Sequence, residues 1–197
     1  MSLYVELAYA LPYGYEDRPL ERPSDAEAAW SRDPLSPYLG SALSGPEHVL
    51  DQFDCGDDAL NAWLREKARH NQREGGSRTW VVSKATRVVA FYASSTAVLL
   101  RTEATRRARR NQPDPLPAIL LGRLAVDLEH QGQGLGAALL KHFVLKSLEV
   151  AEITGVRVLL VHAKDEPARD FYERFGFERS PIDEYTLMLL VKDATAS

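Results

Sequence analysis

The stretch "LAVDLEHQGQGLGAALLKHFV" (residues 124–144) places three glycines between an apolar run and an amphipathic helix. Gly132, Gly134 and Gly136 occupy alternate positions in it. Glycine has no Cβ, so it permits left-handed backbone and lets another group approach the main chain closely. The first amides of a helix are also unpaired and lie at the positive end of its dipole. The stretch therefore predicts either a plain β–α turn or a site for an anion such as a phosphate.

Three glycine-rich phosphate motifs can be compared with this stretch. The dinucleotide motif G-x-G-x-x-G fits poorly, because Ala137 stands at its third glycine and no acidic ribose ligand follows. A Walker A loop needs Gly-Lys-Ser/Thr, whereas Gly136 is followed by two alanines. The pattern Q-x-x-G-x-G is met in full by Gln131, Gly134 and Gly136. It favours a pyrophosphate on the amides of the helix, with an extended ligand arm along the preceding strand.

Composition indicates a globular protein in a reducing compartment. The chain has 197 residues, of which 45% are hydrophobic, and Cys55 is its only cysteine. No apolar stretch is long enough to cross a bilayer, and the first residues lack the basic start of a signal peptide. The histidines show no ligand spacing. We therefore expect a cytoplasmic protein with no membrane contact and no metal.

The order of predicted elements indicates an α/β fold. Residues 1–44 are acidic and proline-rich and are predicted to be an extension, whereas 45–193 are predicted to fold as one domain. Apolar runs at 118–126 and 156–163 predict buried strands. The expected order is helix, two strands, helix, strand, helix, strand, helix, strand, with the first two strands forming a hairpin around Lys84–Arg87. Such an order predicts a mixed sheet with helices on its faces.

Two separated motifs carry a family resemblance. "LGRLAVDLEHQGQGLGAALL", followed by "FYERFGF", resembles the GNAT acetyltransferase superfamily. The resemblance implies the GNAT fold, with a mixed, mostly antiparallel central sheet flanked by helices, and acetyl-CoA as co-substrate without a metal. It also implies that the backbones of Leu124 and Val126 contact pantetheine and that residues 131–136 hold the pyrophosphate. The implied cofactor-binding residues are Leu124, Ala125, Val126, Gln131, Gly132, Gln133, Gly134, Leu135 and Gly136.

Tyr172, within the second motif, is the candidate catalytic acid. A phenol with a pKa of about 10 suits protonation of a thiolate of similar basicity. The family places its acid on this tyrosine, although an aromatic residue here could also serve only the core, as expected for Phe171, Phe175 and Phe177. A backbone amide near Val126 would polarise the thioester carbonyl. No general base is assigned, because a water suffices for an amine that is already partly neutral.

Longer matches narrow the resemblance to one branch of the superfamily. "FDCGDDALNAWLREKARHNQREGGSRTWVV", "RRNQPDPLPAILLGRLAVD" and "LLVHAKDEPARDFYERFGFERSP" resemble toxins of type II toxin–antitoxin pairs that acetylate aminoacyl-tRNA. This implies acetylation of the α-amino group on charged tRNA, which blocks translation. It also implies a ribbon-helix-helix antitoxin as partner and, as in many members, a homodimer.

The basic middle of the chain fits a nucleic-acid substrate. Residues 61–120 carry a net charge of +8, although the whole chain carries −4. Solvated helix faces are the plain explanation of such charge, but with the resemblance it favours tRNA. The candidate tRNA-binding residues are Arg65, Arg69, Arg73, Arg78, Arg106, Arg107, Arg109 and Arg110. Two other readings remain: a GNAT enzyme that acetylates a small amine or a protein N-terminus, and a CoA-binding regulatory module without turnover.

Overall fold

The computed structural model describes residues 39–43 and 47–194, and the side chains of all of these except residues 39–42. None of the helices in these two ranges has the length and hydropathy needed to cross a membrane. The elements in chain order are β1 (Leu39–Ala42), α1 (Asp58–Glu66), α2 (Ala68–Arg73), β2 (Arg78–Lys84), β3 (Arg87–Leu99), α3 (Arg106–Arg109), β4 (Leu116–Val126), α4 (Leu135–Ala151), β5 (Val158–His162), α5 (Glu166–Arg174), β6 (Glu178–Arg179), β7 (Thr186–Leu190) and α6 (Val191–Ala194).

The strands form one mixed sheet in the order β1-β2-β3-β4-β5-β7-β6. The β4–β5 pair is parallel and the other pairs are antiparallel, so the predicted mixed, mostly antiparallel sheet is confirmed. The predicted hairpin is β2–β3, with its turn between Lys84 and Arg87.

Four elements differ from the expected order: β1, the divided first helix, the short strand β6 between α5 and β7, and the terminal helix α6 after β7. β1 is an edge strand paired with β2, although it falls within the stretch 1–44 that was predicted to be an extension. The remainder of that extension, residues 1–38, lies outside the described residues. The single helix expected before the hairpin is divided into α1 and α2 at Lys67, where helical hydrogen bonds continue through the Lys67 amide to the Trp63 carbonyl.

Helices cover both faces of the sheet. In a strand, alternate side chains point to opposite faces. Tyr92 of β3 packs in the large core beneath α4. Its neighbours Phe91 and Ala93 pack with Trp63 of α1 in a second core. Further along β3, the residues of the same parity, Ala97 and Leu99, pack with Ala104 and Ala108 around α3 in a third core. Helices α1 and α3 therefore cover the same face of the sheet, and α4 covers the other.

A β-bulge at Gly122 changes which side chains of β4 face each helix layer. Ala93 of β3 lies opposite Arg123, but Ser94 lies opposite Leu121, so Gly122 is the extra residue. Leu121, before the bulge, packs beneath α4. Ala125, after it, packs in the core beneath α1. Leu124, the residue before Ala125, packs beneath α4 as Leu121 does.

Lys141 of α4 gives the fold a predictable pH dependence. The residue is fully buried, and burial lowers the pKa of its ammonium group from 10.5 to about 7. Below about pH 7 the folded protein carries a desolvated charge on Lys141. Between that pH and 10.5, Lys141 binds fewer protons in the folded protein than in the unfolded chain, so the free energy of unfolding rises with pH. We expect Lys141→Met to raise the melting temperature more at pH 6 than at pH 9.

Thermal melts of wild type and variant at both pH values test this expectation. Lys146→Met is the matched control, because Lys146 is half-exposed and pairs with Glu149 at 2.8 Å, so its replacement removes no buried charge. A gain for Lys141→Met that is the same at pH 6 and pH 9 contradicts the explanation.

Candidate active site

Strands β4 and β5 separate at their C-terminal ends. Their pairing runs from Ala118–Val158 to Leu121–Val161, whereas β4 continues to Val126 in contact with β3. The Asp127 amide donates to the Val89 carbonyl at 2.9 Å. Because hydrogen-bonded positions alternate in antiparallel pairs, the backbone groups of Leu124 and Val126 face away from β3 and into the gap. The gap therefore offers a strand edge to an extended ligand.

The N-terminus of α4 opens beside this gap. Gly134 is its N-cap, with φ +79° and no side-chain capping bond. The Ala138 amide donates to the Gly134 carbonyl, but within residues 39–43 and 47–194 no acceptor is found for the amides of Leu135, Gly136 and Ala137. Three amides at the positive end of a 17-residue helix form a site suited to a phosphate group.

Gly136 marks the point where α4, β4 and α5 converge. A Cβ at this residue would lie 3.8 Å from Val126 Cγ2 and 3.9 Å from both Leu124 Cδ2 and Phe171 Cζ. The nine predicted cofactor-binding residues are therefore brought together, three at the end of β4 and six in the turn that starts α4. Sequence analysis predicted this grouping because these residues are close in the chain.

Two glutamines of the turn hold the loop in place with their side chains. Gln131 Nε2 donates to the Val126 carbonyl at 3.0 Å and the Cys55 carbonyl at 3.3 Å, and Gln133 Nε2 donates to the Glu129 carbonyl at 3.1 Å. The side-chain amides of both glutamines are therefore hydrogen-bonded within the protein. The turn offers mainly its backbone groups to a ligand.

An ion-pair network anchors the loop between β4 and α4, and sequence analysis missed it. Asp127 is buried, lies 3.2 Å from Arg87 and accepts hydrogen bonds from the amides of Asp54 and Glu129. Asp127, Glu129 and His130 bring ligand atoms within 4.8 Å of one another, as a metal site would. However, Arg87 also pairs with Glu129 at 2.8 Å and so supplies the positive charge. The expectation of no metal stays a prediction.

Tyr172 lies on α5, which Asp165 caps at its N-terminus through the Ala168 amide. The residue is 9% exposed, and its ring packs on Phe171 at 5.2 Å and Phe177 at 5.7 Å between centroids. Burial raises the pKa of the phenol above its ordinary value, so the hydroxyl remains protonated at neutral pH. Of the three phenylalanines expected in the core, Phe175 and Phe177 are buried, whereas Phe171 is partly exposed where α5 meets Gly136.

The first cluster of candidate tRNA-binding arginines is fixed by backbone carbonyls. Arg65 donates to Phe53, Arg69 to His48 and Arg78, at 3.5 Å, to Gln72. Arg73 is exposed at the end of α2. These side chains surround α1 and α2 on the sheet face opposite α4.

The second cluster lies around α3, on the same face. Arg107 forms ion pairs with Glu178 and Asp193, so its charge is already balanced within the protein. Arg106 and Arg110 are exposed. A cavity of about 390 Å³ opens here, and its lining is mainly basic. The lining residues are Arg107, Arg110, Asn111, Gln112, Arg157 and Lys192.

Comparison with known proteins agrees with this geometry. A family model described as an acetyltransferase (GNAT) domain matches residues 75–179. This chain belongs to the GNAT acetyltransferases. The tRNA-acetylating toxin of Mycobacterium tuberculosis (strain ATCC 25618 / H37Rv) is 44% identical to this chain over 161 residues. The match covers 79% of this chain and 97% of the relative.

Solved GNAT structures share the fold over most of this chain. AtaT complexed with acetyl-methionyl-tRNAfMet superposes with a TM-score of 0.75 and 26% identity, covering 80% of this chain and 97% of that one. A tyrosine-to-phenylalanine mutant of the AtaT toxin, bound to the C-terminus of the antitoxin AtaR and to acetyl-CoA, gives 0.68 and 27%, covering 79% and 94%. The resemblance derived from sequence is confirmed, and the protein is an N-acetyltransferase.

Proposed function

We propose that this GNAT protein transfers the acetyl group of acetyl-CoA to the α-amino group of an amino acid esterified to tRNA, and so acts as a toxin that blocks translation. The observation that carries the proposal is the 44% identity to a tRNA-acetylating toxin across 97% of that relative. Two structural features support it: the β4–β5 gap beside the free amides of α4, and two basic clusters on one face of the sheet.

The proposed cofactor residues fit acetyl-CoA by their chemistry. The amides of Leu135, Gly136 and Ala137 hold the pyrophosphate, because they are unpaired and lie at the positive end of the α4 dipole. The backbone groups of Leu124 pair with the amides of the pantetheine arm, which enters the gap as an added strand would. The Val126 carbonyl accepts from Gln131, so only the Val126 amide faces the end of that arm. Acetyl-CoA supplies an activated acetyl group as a thioester.

The reaction then needs two groups from the protein. The Val126 amide donates to the thioester oxygen and stabilises the charge that develops there. The amine nitrogen bonds to the acetyl carbon as the carbon–sulfur bond breaks; Tyr172 gives its phenol proton to the thiolate, and water takes the proton that the amine loses. The α-amine of an aminoacyl ester is less basic than a lysine amine, so enough of it is neutral near pH 7.

Mass spectrometry of charged tRNA after incubation with the protein and labelled acetyl-CoA tests the proposal. We expect the label on the α-nitrogen of the esterified amino acid. If label appears only on small amines or on protein N-termini, the substrate assignment is wrong. If the protein binds acetyl-CoA and labels none of these substrates, it is instead a regulatory module without turnover.

The basic cluster around α3 provides a separate test of tRNA binding. We expect Arg106→Glu combined with Arg110→Glu to weaken tRNA binding at least roughly tenfold and to leave acetyl-CoA binding unchanged, because phosphate contacts dominate nucleic-acid affinity. Arg107 is left intact because its ion pairs stabilise the fold. Lys146→Glu reverses a charge on α4, on the opposite face, and serves as the control. Equal tRNA affinity of wild type and the double variant, measured by filter binding, would refute this role.

The partners proposed for this protein follow from its relatives. The AtaT toxin is bound by the C-terminus of its antitoxin, AtaR. We propose an antitoxin here as well, of ribbon-helix-helix type, and a homodimeric toxin. We also propose a cytoplasmic location, where charged tRNA is available.

A further inference from the structure

Arg123 of β4 lies over an aromatic stack. Its guanidinium carbon lies 4.3 Å from the ring centroid of Trp63. Trp63 in turn stacks on Phe91, with centroids 5.9 Å apart and an angle of 13° between the rings. Because Trp63 and Phe91 are both buried, this cation–π contact holds the guanidinium group at a defined place on the sheet.

Among the residues that the structure describes, no carboxylate forms an ion pair with Arg123, which distinguishes it from the ion-paired arginines of this protein. Arg87, Arg107 and Arg169 each form an ion pair with at least two acidic side chains. In the described part of the chain, neither a carboxylate nor a carbonyl accepts a hydrogen bond from Arg123. The side chain is half-buried, and this burial lowers its pKa. A desolvated cation with unused donors is suited to binding an anion from outside the protein.

The position of Arg123 relative to the gap indicates which substrate it meets. Leu124, the next residue, packs on the α4 side, where the cofactor amides lie. Arg123 points to the opposite side, toward α1. It is three residues before Val126, which at about 3.3 Å per residue is roughly 10 Å along the strand from the proposed site of acetyl transfer. Arg123 therefore lies on the sheet face opposite the cofactor amides, within reach of a nucleotide next to an aminoacyl group at the gap.

The sheet surface around Arg123 lies between the two basic clusters. On this face of the sheet, α1 and α2 cover one part and α3 covers another. Ser95 and Leu120, which are paired across β3 and β4 beyond the bulge, are only partly buried between them. Arg123 thus lies on the sheet surface between the Arg65–Arg78 cluster and the Arg106–Arg110 cluster.

We propose that Arg123 is a positioning residue that binds a backbone phosphate near the 3′ end of the charged tRNA and so places the aminoacyl group at the gap. The planar guanidinium fork can donate two parallel hydrogen bonds to a phosphate, and its contact with the Trp63 ring holds it at the sheet surface. This inference rests on the proposed function, since it requires an RNA acceptor.

Kinetics of Arg123→Gln test the proposal. We expect kcat/KM for charged tRNA to fall about tenfold, the loss expected for one hydrogen-bonded phosphate contact. The logarithmic salt dependence of kcat/KM should lose about 0.7 of a unit in slope, as for one single-stranded phosphate. Affinity for acetyl-CoA and activity on a 3′-O-aminoacyl adenosine, which carries no phosphate, should not change. Arg123→Lys keeps the charge but not the planar fork, so it should restore the salt slope and only part of the rate.

Lys146→Gln is the matched control, because it removes one positive charge from the opposite face. Its salt slope should equal that of wild type. The inference is overturned if Arg123→Gln acetylates charged tRNA as wild type does, if its rate falls equally on the phosphate-free substrate, or if its acetyl-CoA affinity falls. Wild-type protein that acetylates no charged tRNA would instead overturn the proposed function, and this inference with it.

Discussion

The Tyr172→Phe variant should bind acetyl-CoA as wild type does and lose about 10²–10³-fold in kcat for acetylation of charged tRNA. The variant keeps the ring and its packing on Phe171 and Phe177, so the change removes only the hydroxyl. A phenol is protonated at neutral pH, and burial raises the pKa of this one further, so the hydroxyl is in the state an acid needs. Without it, the thiolate must leave without a proton. Single-turnover rates with labelled acetyl-CoA measure the effect.

Tyr185→Phe is the matched control for this loss. Tyr185 is 37% exposed and contacts the guanidinium group of Arg169, so it offers the same chemical change at a tyrosine that the proposed reaction does not use. We expect wild-type kcat for this control and similar melting temperatures for both variants. If Tyr172→Phe retains full activity, the proton comes from another group, and Tyr172 serves only the core.

The Gly134→Ala variant should lose acetyl-CoA affinity about a hundredfold, the equivalent of two hydrogen bonds to a charged group. Gly134 adopts φ +79° as N-cap of α4, a conformation that costs alanine about 1–2 kcal/mol. A methyl group here also lies at the mouth of the helix, where the pyrophosphate must approach the amides. Isothermal titration with acetyl-CoA measures the affinity, and thermal melting measures the strain.

Gly75→Ala separates strain from lost binding. Gly75 has φ +76°, and a Cβ at this residue would meet nothing within 4 Å, so alanine suffers a similar backbone penalty without an added contact. It lies at the end of α2, away from the α4 mouth. We expect both variants to melt at lower temperature and only Gly134→Ala to lose affinity. Equal acetyl-CoA affinity of the two variants would show that the pyrophosphate lies elsewhere.

Local signals explain why most of the fold could be predicted from sequence. Asp165 caps α5 through the Ala168 amide, and Asp57 caps α1 through the amides of Ala59 and Leu60. Each of these contacts joins residues two or three positions apart, so the local sequence pattern can predict it. Strand β1 has no such signal. It joins the sheet through backbone pairing with β2, some forty residues away in sequence, and backbone groups are the same in every residue.

The candidate site likewise combines features set by neighbouring residues with contacts between residues that are distant in sequence. The glycine turn and the end of β4 are contiguous in sequence, so their grouping could be predicted. The ion pair of Arg87 with Asp127 joins residues 40 apart, and that of Arg107 with Asp193 joins residues 86 apart. The stack of Arg123 on Trp63 depends on the β4 register as well. Charge counting assigned Arg107 to tRNA, because composition does not show which charges are already neutralised inside the protein.

The bulge residue Gly122 determines which face of the sheet the side chains of β4 point to. Before Gly122, the odd-numbered side chains of β4 point toward α4. After Gly122, the even-numbered side chains point toward α4. A chain that lacked Gly122 would keep the same strand and the same amino acids but exchange their orientations. Leu124 and Val126 would then point to the α1 face, and Arg123 to the α4 side, where we propose that acetyl-CoA binds. In the proposed complex, Gly122 therefore determines which face of the sheet each reactant meets.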